Sequence, residues 1–285
     1  MVCSDARPAE SDEGGFVAGV ILAVLDEPGS AFTLLRAAAR LRDLCGAAHL
    51  QALALRTPPA TTIMPTEEIL TERQEMAIRV QETARSHAIG KAVCKWSQES
   101  GQVVSFEDIE AVAAEVIATQ GAAADYLVIG QSPPHGYGSA WQTIQAALFA
   151  SNRPVLIVPP DCGAAFGRRI ALAWRDDRRT TRALLAAIPC FTHLEQLFIL
   201  AGQRQAQPRP AIPPILAEHA LRSKLRILPI GPRVFGETLL ETAHACEADL
   251  VVMGAFVRDP LSRLILGGVT GYLLANSDLP LLMRH

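Results

Sequence analysis

The chain has 285 residues, of which 49% are hydrophobic and 19% are charged, so it is long enough for two domains that each bury a hydrophobic core. Its net charge of −3 argues against a general nucleic-acid or membrane-surface binder, because such proteins usually carry a surplus of basic residues. The first apolar run, residues 16–25, is too short to span a bilayer, and the acidic residues before it are unlike a signal peptide.

Apolar strand-like runs alternate with helical patterns in the first half of the chain. Strands that alternate with helices in this way form a parallel sheet with helices on both faces. Residues 159–163, rich in proline, are predicted to be a linker. We predict strands over 20–25, 49–55, 91–96, 126–129 and 154–158, and helices over 30–44, 67–88, 106–118 and 139–149.

The same order of elements begins again after the linker. The segment DYLVIG that starts at Asp125 matches DLVVMG, which starts at Asp249, and this match predicts two copies of one unit. The predicted domains are residues 14–160 and 167–285. In the second we predict strands over 169–174, 196–201, 226–230, 250–253 and 279–283, and helices over 180–188, 215–221, 236–246 and from Gly267 onwards.

The six cysteines are scattered along the chain, without a CxxC pair or a Cys/His cluster at metal-ligand spacing. We therefore expect a reduced, cytoplasmic setting and no metal site. Cys94 and Cys190 lie in or beside apolar elements, so we expect them to be buried, unreactive thiols.

Ligands of a doubly wound parallel sheet bind beyond the carboxyl ends of the strands, where the strand order reverses. In each unit that place lies between strands one and four. In the second unit, strand four stops at Gly254, and Gly267 and Gly268 open the helix that follows. A strand, a glycine loop and a helix N-terminus can hold phosphate, because unpaired amide groups point at the anion and no Cβ keeps it away.

The glycines of the second unit carry a resemblance to a known family. Gly254, Gly267 and the GGVT of residues 267–270 are in register with a family pattern of GxxG, a spacer, and Gly followed by Ser or Thr. Residues 147–149 and 153–156 are similar to the ALFxSxRPVL segment of tandem members. The chain thus resembles a tandem universal stress protein over nearly its whole length.

The resemblance implies an α/β fold of two tandem flavodoxin-like (adenine nucleotide alpha hydrolase-like) domains. Each would be a five-stranded parallel sheet with helices on both faces, and the two would pack along their fifth strands as an intramolecular pseudo-dimer. A homodimer of two such chains is compatible with the resemblance, but the sequence does not determine the oligomeric state.

The resemblance also implies a non-catalytic, cytoplasmic stress-response protein that binds ATP or another adenine nucleotide in its second domain. Magnesium is expected only with bound ATP. No nucleic-acid or membrane partner is expected. In the first domain the crevice residues would be Asp26 and Gly130. In the second, the expected nucleotide-binding residues are Gly254, Ala255, Val257, Gly267, Gly268, Val269, Thr270, Trp174 and Arg175.

Neither copy keeps the complete family pattern. Val257 stands in place of the second glycine, Gly268 in place of the usual Ser or Thr, and Arg175 in place of an adenosine-contacting Asp. The first copy has an Asp, Asp26, but lacks the glycine pattern. The residues at its glycine and threonine positions are Trp141, Gln142 and Ile144.

These departures leave two alternatives to a nucleotide-binding protein. One is a nucleotide-independent interaction protein whose crevices are degenerate. The other, a slow ATPase, ranks last, because Asp259 is the one candidate magnesium carboxylate and no catalytic base is visible.

Arginines cluster around the first strand of the second unit. Either Arg175 or Arg178 meets an anion at the mouth of the crevice, or the segment is a solvated helix start with Asp176 or Asp177 as N-cap, which is the favoured interpretation. His135, after strand four of the first unit, is interpreted as part of an exposed turn.

Overall fold

The structure, a computed structural model, describes residues 19–61, 70–132, 139–204, 208, 210–218, 222–232, 234–256 and 268–285. We call residues 20–158 the N-terminal half and residues 169–285 the C-terminal half. The strands of the N-terminal half are β1 Val20–Leu25, β2 His49–Arg56, β3 Ser105–Glu110, β4 Tyr126–Gly130 and β5 Val155–Val158. Those of the C-terminal half are β6 Arg169–Trp174, β7 Gln196–Gln203, β8 Ser223–Pro229, β9 Leu250–Gly254 and β10 Leu281–Arg284.

Helices connect the strands on both faces of the sheet. The N-terminal half contains α1 Ala31–Cys45, α2 Glu72–Ser100, α3 Ala113–Val116 and α4 Ser139–Phe149. The C-terminal half contains α5 Arg178–Ala187, α6 Pro214–Glu218, α7 Phe235–Ala245 and α8 Gly268–Asn276. Short helical turns cover Pro59–Thr61, Ile117–Gly121 and Ile188–His193, the last a 3₁₀ helix directly after α5. Among the described residues, no helix combines the length and the apolar character needed to cross a membrane.

The ten strands form one sheet in the order β3-β2-β1-β4-β5-β10-β9-β6-β7-β8. Within each half every pair is parallel, and the strand order reverses at β1 and at β6. The halves join through the antiparallel pair β5 and β10, in which Leu156 lies opposite Leu282. The predicted α/β fold class and the predicted contact along the fifth strands are therefore confirmed.

The central strands are buried on both faces, which explains why they are continuous apolar runs in the sequence. Helices α1, α2, α5 and α6 contribute to the core on one face of the sheet. Helices α3, α4, α7 and α8 contribute to the core on the other. Both cores contain residues of both halves, so hydrophobic packing is continuous across the join.

The predicted third strand, residues 91–96, is wrong, because α2 continues through this segment to Ser100. Ile89, Val93 and Trp96 are buried, whereas Lys91 and Lys95 are exposed. Buried residues three and four positions apart follow the period of a helix. The apolar residues between the two lysines therefore belong to one face of a long helix.

The predicted helix over 106–118 is also wrong in its first part, where the third strand β3 lies. This strand is at the edge of the sheet and reads SFEDIE, which lacks the apolar run that marks the central strands. Its acidic residues are held by the neighbouring strand and by α2. Arg56 pairs with Asp108 at 2.7 Å and with Glu110 at 3.1 Å, and Arg79 pairs with Glu110 at 3.0 Å.

Candidate functional site

A cavity of about 920 Å³ opens at the carboxyl ends of β6, β7 and β9. Strand β6 lies between β7 and β9, so the cavity is at the point where the strand order of the C-terminal half reverses. This is where open α/β sheets bind their ligands. The volume is within the range of roughly 300–1,000 Å³ that is usual for small-molecule sites.

Most of the nucleotide-binding residues predicted for the C-terminal half converge on this cavity. Ala255, in contrast, is fully buried, and its N–H donates to the carbonyl of Arg284 at 2.8 Å. Val257 and Gly267 lie outside the described residues. The predicted residues that line the cavity are Trp174, Arg175, Gly254, Gly268, Val269 and Thr270.

Gly254 and Gly268 have different reasons to be glycine. A Cβ at Gly254 would lie 3.0 Å from the Phe256 ring and 3.1 Å from the backbone nitrogen of Thr180, so the end of β9 packs too closely on α5 for a side chain. A Cβ at Gly268 would meet no atom of the described residues within 4 Å. Packing therefore explains Gly254, whereas the backbone at Gly268 is open at the start of α8.

Two buried threonine hydroxyls lie in the cavity wall. The Oγ1 of Thr270 accepts a hydrogen bond from the N–H of Phe256 at 3.3 Å, which ties α8 to the end of β9. Thr180 is fully buried, and its Oγ1 has no hydrogen-bond partner within the described part of the chain. Because an unpaired buried hydroxyl is costly, Thr180 is a group that a ligand or a water molecule could satisfy.

Arginine side chains flank an aromatic ring at the mouth of the cavity. The guanidinium groups of Arg175 and Arg179 each lie 5.5 Å from the centre of the Phe256 ring, within the range of a cation–π contact. Arg175 also pairs with Asp177 at 3.2 Å while 76% of its side chain is exposed. It therefore adds positive charge to the rim of the cavity.

Asp177 is the N-cap of α5, as the favoured interpretation of this segment predicted. Its carboxylate accepts hydrogen bonds of 3.0 Å from the amides of Arg179 and Thr180. These amides already have an anionic partner, so the start of α5 is not a second phosphate site. Arg178 is exposed and does not line the cavity.

The sequence did not single out the opposite wall of the cavity. The end of β7 and the start of α7 meet there: a Cβ at Gly202 would lie 2.8 Å from Phe235 and 2.9 Å from Ile230. The loop after β7 adds Ile212 and Pro213. The available signal was the density of prolines between 208 and 214, directly after the second strand of the unit.

The predicted crevice of the N-terminal half is covered by side chains of α2. Arg85 donates to the backbone carbonyls of Asp26 and Leu55, at the ends of β1 and β2. Glu82 pairs with Arg85 at 2.8 Å and accepts the N–H of Thr57 at 2.8 Å. The polar groups at the ends of these two strands thus already have partners within the protein.

The two residues predicted for that crevice lie in different surroundings. Burial raises the pKa of Asp26 to about 6, although the Arg85 cation opposes this shift. A Cβ at Gly130 would be in ordinary contact with Leu34, at 3.7 Å. Neither residue lines the cavity of the C-terminal half.

Of the three residues that replace the glycine pattern in the first copy, Gln142 is exposed and the other two have structural roles. Trp141 and Ile144 of α4 are buried in the core. His135 and Asp259 lie outside the described residues. Within the described ranges, no group of three His, Cys, Asp or Glu side chains could hold a metal ion.

Comparison with known proteins agrees with this fold. Residues 234–285, which include α7, β9, α8 and β10, match the model of the Universal stress protein family. No curated protein matches the chain.

Solved structures match over nearly the whole chain. A universal stress protein from Archaeoglobus fulgidus DSM 4304 has a TM-score of 0.69 and 13% identity, and the match covers 93% of this chain and 95% of that one. A protein of unknown function from Pseudomonas aeruginosa PAO1 has a TM-score of 0.55 and 17% identity, with coverage of 94% and 92%. At these identities the structures establish the fold. The comparisons therefore support the resemblance inferred from the sequence: residues 234–285 match the model of the Universal stress protein family, and the chain as a whole has the fold of a solved universal stress protein.

Proposed function

We propose that this chain is a non-catalytic stress-response protein of the cytoplasm whose C-terminal half binds an adenine nucleotide, with ATP as the first candidate. The observation that supports this proposal is the convergence of six predicted residues on one cavity at the reversal of the strand order. The first amides of α8 lack partners within the helix and would face the phosphates from Gly268 onwards.

The cavity lining suits both parts of such a ligand. Ala201, Ile212 and Pro213 provide apolar surface for a flat base, and the start of α8 provides amide groups for phosphate. Thr180 and Thr270 add hydroxyl groups in the wall. Magnesium would enter with ATP and would be held mainly by its phosphates.

Gly268→Ala separates ligand binding from folding. Because the added Cβ meets no described atom within 4 Å, the free energy of unfolding should stay the same or rise by about 0.5–1 kcal/mol, since alanine favours a helix. If phosphate approaches this backbone, the methyl group should weaken ATP binding about tenfold, equivalent to about 1.4 kcal/mol. Calorimetric titration with ATP and urea denaturation measure the two effects.

Two further variants calibrate this measurement. Gly29→Ala is the control, because it also adds a methyl group in open space but lies in the N-terminal half, and it should leave ATP affinity unchanged. Gly254→Ala should instead destabilise the fold by about 1–3 kcal/mol through overpacking. If ATP neither binds in calorimetry nor raises the Tm of the wild-type protein, the nucleotide proposal is wrong.

A nucleotide-independent interaction protein is the second candidate function. It is supported by Arg175, which stands where the resemblance requires an Asp and which contacts Phe256 and Asp177 at the cavity mouth. This candidate predicts that denatured protein releases no nucleotide. It also predicts that Arg175→Ala leaves the ATP response of the Tm unchanged.

A further inference from the structure

Two cysteines distant in sequence meet where the two halves pack together. Cys45 is the last residue of α1 in the N-terminal half, and Cys190 lies in the 3₁₀ helix of the C-terminal half. The hydroxyl of Thr192 donates to the carbonyl of Leu44 at 3.0 Å, which holds the 3₁₀ helix against the end of α1. This hydrogen bond therefore holds the two segments that carry Cys45 and Cys190 next to each other.

The thiols belong to one cluster of polar side chains at the contact between the two halves. Cys190 is fully buried, and the two thiols are near enough that each shifts the pKa of the other. The Cys190 sulfur also lies 3.9 Å from the hydroxyl of Tyr126, which itself donates to the carbonyl of Ala186 at 2.6 Å. Cys45 is only partly buried, and its sulfur lies 2.9 Å from the carbonyl oxygen of Leu41. Cys45 is therefore the member of the pair that solvent can reach.

We propose that Cys45 and Cys190 form a redox pair that a hydroperoxide converts into a disulfide linking the two halves of the protein. The sequence led us to expect a buried, unreactive thiol at Cys190. Cys190 is indeed buried, but under this proposal it reacts with an oxidised Cys45. A buried thiol beside a second, accessible thiol can resolve an oxidised sulfur without reaching solvent.

The two cysteines have unequal roles in this reaction. The neighbouring Cys190 thiol lowers the pKa of the Cys45 thiol, which favours the nucleophilic thiolate. The Cys45 thiol and burial together raise the pKa of Cys190. Cys45 is therefore the residue that reacts with peroxide, and Cys190 is the resolving residue.

The steps balance with hydrogen peroxide as the oxidant. The Cys45 sulfur attacks one peroxide oxygen, so that an S–O bond forms, the O–O bond breaks, and the leaving hydroxide takes the Cys45 proton as water. The Cys190 sulfur then attacks the Cys45 sulfur, so that the S–S bond forms and the S–O bond breaks. The second hydroxide leaves as water with the Cys190 proton. The two sulfurs together lose two electrons, which the peroxide gains.

The disulfide should stabilise the folded chain. It closes a loop of on the order of 150 residues, and a bond across a loop of this length restricts the unfolded state strongly. We expect the Tm of the oxidised protein to rise by roughly 5 to 10 °C, and dithiothreitol should reverse the rise.

The test uses the full-length protein treated with hydrogen peroxide, alkylated, digested without reduction and analysed by mass spectrometry. We expect a peptide pair joined through Cys45 and Cys190. Cys190→Ser should remove this pair and leave Cys45 as a sulfenic acid that dimedone traps. Cys45→Ser should remove the pair and leave Cys190 as an unoxidised thiol.

Cys162→Ser is the matched control. Cys162 is buried, burial raises the pKa of its thiol, and its sulfur contacts the carbonyl of Gly163, so its loss should not change the cross-link. The proposal is overturned if Cys45 and Cys190 are both recovered as alkylated thiols under peroxide conditions that convert the exposed Met76 to its sulfoxide. It is equally overturned if the cross-link forms only after the protein is unfolded.

Discussion

Asp26, directly after β1, is a partly buried carboxyl group whose ionisation opposes folding. In the folded protein its pKa rises from the ordinary value of 3.8 to about 6. Between these values the folded state binds a proton that the unfolded state has released. The free energy of unfolding should therefore fall as pH rises from about 4 to about 6, and then become independent of this group.

Asp26→Asn tests this pH dependence. The full shift corresponds to about 3 kcal/mol, which is an upper bound because the carboxyl group is partly screened by solvent. The variant should be more stable than the wild type at pH 7 and equally stable at pH 4, as measured by urea denaturation across this range. Asp161→Asn, at an exposed carboxyl, is the control. Parallel pH curves for wild type and Asp26→Asn would contradict the prediction.

At the level of single residues, the sequence predicted one side of the cavity well. The predicted residues on this side, Trp174, Gly254 and Gly268, lie at two strand ends and at the start of a helix. The order of strands and helices is enough to bring such positions to one edge of the sheet, without knowledge of side-chain packing. Phe256 and Thr180 were not predicted, because their roles depend on how closely β9 approaches α5. That approach is a tertiary contact, which no local pattern contains.

At the level of elements, α2 shows why a short apolar run is ambiguous. The run between Lys91 and Trp96 fits a strand by length, but the burial of Ile89 and Val93 follows the helical period. Its capping box at Thr71 and Gln74 and its end at Gly101 mark a helix of 29 residues. The burial period over the whole of residues 72–100 identifies a helix, whereas the six residues 91–96 taken alone do not distinguish a helix from a strand.

The burial pattern of α2 leads to a stability prediction. Ile89→Ala should lower the free energy of unfolding by about 2–5 kcal/mol, because it leaves a cavity in a fully buried position. Lys91→Ala, two residues further on, should change it by less than about 0.5 kcal/mol, because Lys91 is exposed. Urea denaturation measures both. Similar losses for the two variants would be inconsistent with this placement of α2.

Edge strands and loops are the elements that the sequence predicted least well. The central strands are buried on both faces and are therefore apolar runs, and their predicted bounds agree closely with the structure. Strand β3 has a neighbour on one side only and carries acidic residues that arginines compensate. Pairing with β2 determines its strand conformation, and the sequence of residues 105–110 alone does not reveal that pairing.

At the level of the whole molecule, the two halves share one sheet and two continuous cores. Side chains of the N-terminal half also bind backbone beyond it: Arg40 donates to the carbonyl of Phe166, in the segment between the halves, at 3.0 Å, and Gln131 donates to the carbonyl of Leu274 at 2.9 Å. The buried hydroxyl of Tyr126 makes a third bond of this kind, to Ala186. Neither half can unfold without exposing apolar surface of the other.

We therefore expect the halves to unfold in a single transition. Leu282→Ala tests this, because Leu282 of β10 is buried and lies opposite Leu156 of β5 at the join. The substitution should cost about 2–5 kcal/mol. Hydrogen exchange measured by mass spectrometry should show an equal loss of protection in peptides from β1 and β2 and in peptides from β6 and β7.

The control for this experiment is Leu185→Ala, at a leucine of α5 that is 45% exposed. It should change protection in both halves by less than about 0.5 kcal/mol, as is usual for surface positions. If Leu282→Ala reduces protection only in β6 and β7, the halves unfold independently, and the β5–β10 pair joins them without coupling their stability. Equal losses would instead mean that a disulfide between Cys45 and Cys190, or a nucleotide in the C-terminal cavity, stabilises the N-terminal half as well.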